Sequence, residues 1–180
     1  MPHDAFDILG LSPRFDLPPG SLQSAYLALS AKLHPDTAAP DIEAELQSAK
    51  LNEARRVLEN PESRADLLLR RLGGPGKEQD KSLPHGFLAE MLEVREEIDA
   101  AIRSGDPDKI APWDDWAGQR RKQHIAEVAR LFSAVVAATA NTEVAPGPDT
   151  HASPDLLKSI RAELNMWRYI ERLVEQLHEV

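Results

Sequence analysis

No cysteine occurs in the 180 residues. That excludes disulfides, a thiolate nucleophile, and zinc or iron–sulfur ligation through sulfur, so any metal handling falls to another molecule. Long apolar runs are absent as well: none approaches the roughly 20 residues that span a bilayer, and Met1 to Asp7 carries no basic region followed by an apolar stretch. The expectation is a cytoplasmic protein without a membrane partner. Basic residues are in deficit, 21 Lys and Arg against 30 Asp and Glu, which gives a net charge of -9 and a pI near 5.1. Such a chain repels phosphate backbones, and nucleic acid is not an expected partner. What remains, 42% hydrophobic and 28% charged residues, is ordinary globular composition with room for one or two small domains.

Gly and Pro gather in Gly73-Gly74-Pro75-Gly76, followed by polar residues to Ser82. This composition marks a turn-rich join and divides the chain into residues 1–72, a linker at 73–83, and residues 84–180. Acidity is spread over both halves, -3 in the first and -6 in the second. Asn141 to Ala152 is the other soft stretch.

The periodicity is helical nearly throughout, which predicts an all-α protein. In the first half, Leu22, Tyr26, Leu29 and Leu33 form the stripe of a helix that begins after Gly20 and stops at His34, before Pro35. A second helix begins after Pro40 with Asp41 as cap and carries Leu51, Ala54 and Leu58. Asn60 and Pro61 open another, backed by Leu67, Leu68 and Leu72. These make an antiparallel helix pair with short flanking helices. The second half reads as a three-helix bundle: about 85–104, about 113–140 with Ile125, Val128, Phe132 and Val136, and about 154–178 with Leu156, Ile160, Leu164, Trp167 and Val174 behind Ser153-Pro154.

His34-Pro35-Asp36 lies in the bend between the paired helices. Proline stiffens it and leaves an imidazole and a carboxylate where a partner reaches them; taken alone, the tripeptide is also compatible with an ordinary turn. Its context is Phe6-Asp7-Ile8-Leu9-Gly10-Leu11 upstream, then Leu51-Asn52-Glu53-Ala54-Arg55-Arg56-Val57-Leu58 and Asn60-Pro61 with Arg64-Ala65 downstream. Over about residues 3–72 this combination resembles a J-domain. The resemblance implies docking on an ATP-bound DnaK-type chaperone and stimulation of its ATPase, with His34, Pro35 and Asp36 as binding residues rather than catalysts. The chain departs from the family's basic helix before HPD: with Gln23, Ser24, Ser30 and Ala31 present, Lys32 is that helix's only cation, and Thr37 follows the tripeptide. Long-range electrostatic steering should therefore be weak, which points to a dedicated chaperone; Lys50 and Arg55 are candidate sources of compensating charge.

In the segment 87–100, about 100° per residue places Met91, Val94 and Ile98 within about 40° of Phe87, a sufficient core stripe. Leu88 and Leu92 fall at about 100° and 140° from Phe87, among Arg95, Glu96 and Asp99. They belong either to a wide face touching two neighbours or to a small charge-edged docking patch. The segment resembles the C-terminal domain of HscB-type co-chaperones of iron–sulfur cluster assembly, and the layout agrees with that family over essentially the whole chain, more loosely between about 105 and 150. The resemblance implies an IscU-type scaffold as client and a specialised, HscA-like chaperone as second partner. It assigns scaffold contacts to Leu88, Leu92, Glu93, Arg95 and Glu96, with Met166 on the last helix where the family has an aromatic contact. Ala89 and Ala100 replace a larger apolar residue and an acid.

Gly73 to Lys77 lacks the preceding strand and following Ser or Thr of a phosphate loop. The six histidines, at 3, 34, 85, 124, 151 and 178, show no metal-binding spacing, so neither metal nor cofactor is expected. No nucleophile, base and oxyanion donor converge in any spacing, so the chain is not expected to be an enzyme. The leading expectation is an adaptor that delivers the scaffold to the chaperone; the alternative is a general J-domain co-chaperone whose bundle binds unfolded clients.

Overall fold

The computed structural model describes residues 3–33, 42–140 and 153–178, and every regular element among them is helical. The helices are α1 (Ala5–Leu9), α2 (Ser21–Lys32), α3 (Ile42–Glu59), α4 (Pro61–Arg71), α5 (Phe87–Ser104), α6 (Pro107–Ala140) and α7 (Pro154–His178). Contacts divide the chain into two compact units, Met1–Leu68 and Leu69–Val180.

In the first unit, local chemistry fixes α1 at both ends. The Asp4 side chain accepts from the Phe6 and Asp7 amides while the Asp7 carboxylate accepts from the Asp4 amide, a reciprocal cap. Gly10 then takes the left-handed conformation, φ 64°, which a side chain disfavours. Pinned this way, α1 buries Phe6 and Leu9 and packs on α3, and Phe15, Leu51, Ala54, Leu58, Ala65 and Leu68 are buried in the same unit. The Tyr26 hydroxyl donates to Asn52 Oδ1 at 2.8 Å, joining α2 to α3, and the Arg55 guanidinium lies 4.6 Å from the Tyr26 ring centroid.

α2 ends at Lys32, slightly before the expected stop, with Leu33 as its cap residue. None of its residues is fully buried; Leu22, Tyr26, Leu29 and Leu33 face inward but remain partly accessible. Asp41, the expected cap of α3, lies outside the described residues. Asn60 caps α4 as expected, its Oδ1 accepting from the Ser63 amide at 2.9 Å. Arg64 donates to the Leu58 carbonyl at 2.5 Å and lies 5.2 Å from the Phe15 ring centroid. This gives the Arg64-Ala65 pair a structural role: the guanidinium ties off the end of α3 while Ala65 packs with no exposure. On α4, Leu69 is fully buried whereas the expected Leu67 and Leu72 are only partly so.

In the second unit, the Gly73 and Gly74 amides donate to the Arg70 and Leu69 carbonyls, terminating α4. A Cβ on Gly74 would stand 2.2 Å from Leu69 Cδ1, so any larger residue there requires the buried Leu69 side chain to shift. The following segment is held to α7: Asn165 Nδ2 donates to the Asp80 and Ser82 carbonyls at 3.1 and 3.0 Å.

α6 starts at Pro107, ahead of the expected 113. Asp106 caps it, accepting from the Asp108 amide at 3.1 Å, and Pro107 suits the first helical position. Pro112 sits inside the helix as its sixth residue, where it removes the amide that would donate to the Asp108 carbonyl, and the helix continues through it. The buried face of α6 is also rotated from the expected one: Val135 is 2% exposed and Val136 66%, with His124, Val128, Leu131 and Phe132 completing the inner side. On α7, Leu157 rather than Leu156 is buried, followed by Ile160, Leu164 and Trp167. Toward the other end, Phe87, Met91 and Ile98 of α5 pack with Ala117, Ile170, Leu173 and Val174.

A polar seam crosses α6 and α7. Arg121 pairs with Glu171, which also accepts from Trp167 Nε1 at 2.8 Å, and His124 Nδ1 lies 2.6 Å from Glu163 Oε1. Burial pushes the Glu171 carboxyl up, but the hydrogen bonds from Arg121 and Trp167, with the charges of Arg121 and His124, together hold the group below its usual range. A depressed folded-state pKa contributes stability above the unfolded value, near about 4.3, and that stability is lost as pH falls through the folded value. Melting temperatures measured from pH 7 to pH 3 should show an acid decline that Glu171→Gln makes shallower; parallel curves would contradict this assignment.

Candidate protein-docking surfaces

The first surface belongs to the J-domain-like unit. His34, Pro35 and Asp36 lie outside the described residues, and the structure places what precedes them: Lys32, exposed on the last turn of α2, and Leu33, half-buried. The other outward positions of α2 are uncharged, Gln23, Ser24, Leu27, Ala28 and Ala31, with Leu27 55% exposed. Of the two basic residues proposed as compensation, Arg55 is occupied by the Tyr26 ring and by Glu59 at 3.6 Å. Lys50 stands exposed on α3.

The second surface lies on α5. Its buried side carries Phe87, Met91 and Ile98, with Val94 partly buried beside them. Leu88 and Leu92 are 55% and 56% exposed, too open for a face shared with a second neighbouring helix. Glu93, Arg95 and Glu96 are exposed around them, and Arg95 Nε is 4.0 Å from Asp99, a loose pairing that leaves the guanidinium adaptable. Five of the six bundle residues singled out from sequence thus share one exposed helix. Met166 differs: it is half-buried, packs against the Phe87–Met91 core, and lines a groove of about 690 Å³ with Phe87, Glu90, Arg120 and Glu163. Leu88 and Leu92 lie outside that groove.

Sequence reasoning passed over Tyr169, one turn beyond Met166, whose ring meets Phe87 edge-on at 5.7 Å. It also missed His124 as a core residue; only its position four residues before Val128 signalled an inward orientation. Among the described residues no group of three or more His, Cys, Asp or Glu side chains is arranged to hold a metal, and no helix is long and apolar enough to cross a membrane. Among the described residues the features that stand out are the exposed side of α2, with Lys32 as its one charge, in the first unit and an apolar, charge-edged patch on α5 in the second.

Comparison with known families agrees. A DnaJ domain profile matches residues 4–67, and a profile described as the HSCB C-terminal oligomerisation domain matches residues 83–178. The chain belongs to the HscB co-chaperone family. A co-chaperone protein HscB homolog from Vibrio vulnificus strain YJ016 is 34% identical over 131 residues, covering 68% of this chain and 76% of the relative. An iron-sulfur cluster co-chaperone protein HscB homolog from Arabidopsis thaliana is 35% identical over 126 residues, covering 62% of this chain and 50% of that one. In fold, the chain matches human HscB with a TM-score of 0.72 at 19% identity, covering 98% of this chain and 81% of the human one. Chaperone HscB from Vibrio cholerae matches with a TM-score of 0.60 at 23% identity, covering 97% and 99%.

Proposed function

We propose that this HscB family member joins two proteins. His34, Pro35 and Asp36, assisted by Lys32, engage a DnaK-type, HscA-like chaperone and stimulate its ATPase. Leu88, Leu92, Glu93, Arg95, Glu96 and Met166 hold an IscU-type iron–sulfur scaffold. The hydrolysis belongs to the chaperone and the cluster to the scaffold; this chain supplies positioning. With both partners on one molecule, scaffold meets chaperone at an effective concentration set by the chain, which favours delivery over chance encounter.

The observation that carries this reading is the presence, in a chain matched by both family profiles, of two half-exposed leucines on a helix whose core stripe is already complete. Two apolar side chains edged by charges form a small surface with orientational preference, which suits a folded client better than unfolded segments. Calorimetric titration of the full chain with folded scaffold, and separately with unfolded reduced proteins, tests this. Saturable binding to the scaffold alone is expected; equal affinity for unrelated unfolded proteins would favour a general co-chaperone.

A further inference from the structure

Between α1, α2 and α3 the first unit holds an open groove of about 400 Å³. Ile8, Leu29, Leu33 and Leu51 form its walls, and Lys32, Gln47 and Lys50 stand on its rim. Leu51 is 3% exposed and sits deep, while the other three leave apolar surface accessible. Gln47 is engaged with Glu43 at 3.1 Å, but neither lysine makes an ion pair with a described residue. The groove is therefore apolar within and cationic at its lip, in a chain whose net charge is -9. Leu33 is covalently joined to His34, so whatever fills the groove lies beside the chaperone-contacting tripeptide.

We propose that this groove receives an apolar side chain from a carboxylate-bearing segment of the DnaK-type chaperone, an inference that rests on the chaperone half of the proposed function and identifies what the chaperone presents there. The apolar walls gain by excluding water, and the two ammonium groups select a segment that places acid beside the anchor. Basic charge sparse along α2 is concentrated at this lip, where short-range pairing replaces steering from a distance. The groove sets affinity, whereas the tripeptide triggers hydrolysis.

The test is stimulation of the purified chaperone's single-turnover ATPase, titrated with the full chain. Lys50→Glu should raise the half-saturating concentration about tenfold, the effect of losing one charge-assisted contact of about 1.4 kcal/mol, with the maximal rate retained. Lys50→Arg should behave as wild type. Leu29→Phe, which fills the groove from within, should also raise the half-saturating concentration, with helicity and melting checked by circular dichroism. His34→Gln should instead lose the maximal rate. Wild-type half-saturation for Lys50→Glu or for Leu29→Phe, with His34→Gln inactive, overturns the groove and leaves the chaperone assignment standing. Undiminished stimulation by His34→Gln overturns both.

Discussion

Replacing His34 by Gln should lower stimulation of the chaperone's single-turnover ATPase by roughly 30-fold or more, the loss expected when a central contact worth about 2 kcal/mol is removed. Glutamine keeps similar reach and an amide dipole but lacks the imidazole ring. Proline fixes its own φ, so Pro35→Ala should also reduce stimulation by giving the backbone between His34 and Asp36 more freedom. Asp36→Asn removes charge at constant shape and should act through the same contact. Phe6, Leu9, Phe15, Leu51, Ala54 and Leu58 are buried in this unit and none is among the substituted residues, so helicity and melting temperature should be retained. Undiminished stimulation by His34→Gln would remove the assignment of the tripeptide as the trigger.

The second large effect concerns α5. Because Leu88 and Leu92 are 55% and 56% exposed, truncating either leaves little cavity and should change folding stability by no more than about 0.5 kcal/mol. Burying their accessible parts against a client contributes about 1 kcal/mol each, so Leu92→Ala should weaken scaffold binding roughly fivefold. The Leu88→Ala, Leu92→Ala double variant should weaken it by about 30-fold if the two losses add. Met166→Ala should weaken binding and lower folding stability together, since Met166 also packs against the Phe87–Met91 core. Glu96→Lys should instead alter the salt dependence and association rate, as expected of a charge at an interface rim. Calorimetry with the folded scaffold measures the alanine variants and stopped-flow association at varied salt the Glu96→Lys one; wild-type affinity for Leu92→Ala and the double variant would remove the α5 patch.

Much of this architecture was legible because local signals were redundant. The start of α4 is written twice, in Asn60 as cap and Pro61 at the first position, and the end of α1 is marked by Gly10. The surplus apolar pair on α5 could be counted on a helical wheel, but whether it was buried or exposed depended on where the neighbouring helices lay, which periodicity does not encode. Two errors have clear causes. The expected start of α6 at about 113 overlooked Asp106-Pro107, a cap and first-position pair of the same kind as Asn60-Pro61. In the uncharged run 131–140, Val135 and Val136 are equivalent by composition, and only packing against α7 selects Val135. Met166 was placed by correspondence with a family position, whereas its inward packing depends on how α7 lies against α5. The polar seam through His124, Glu163 and Glu171 was invisible because its members are thirty-nine to fifty residues apart.

The most direct measurement is single-turnover ATP hydrolysis by the DnaK-type chaperone with this chain alone, with the IscU-type scaffold alone, and with both. One molecule gripping both proteins predicts that the combined stimulation exceeds the product of the separate ones, and that the excess disappears in the Leu88→Ala, Leu92→Ala double variant while stimulation by that variant alone is unchanged. Stimulation with both present that merely equals that product, or an excess that survives the double variant, would contradict it.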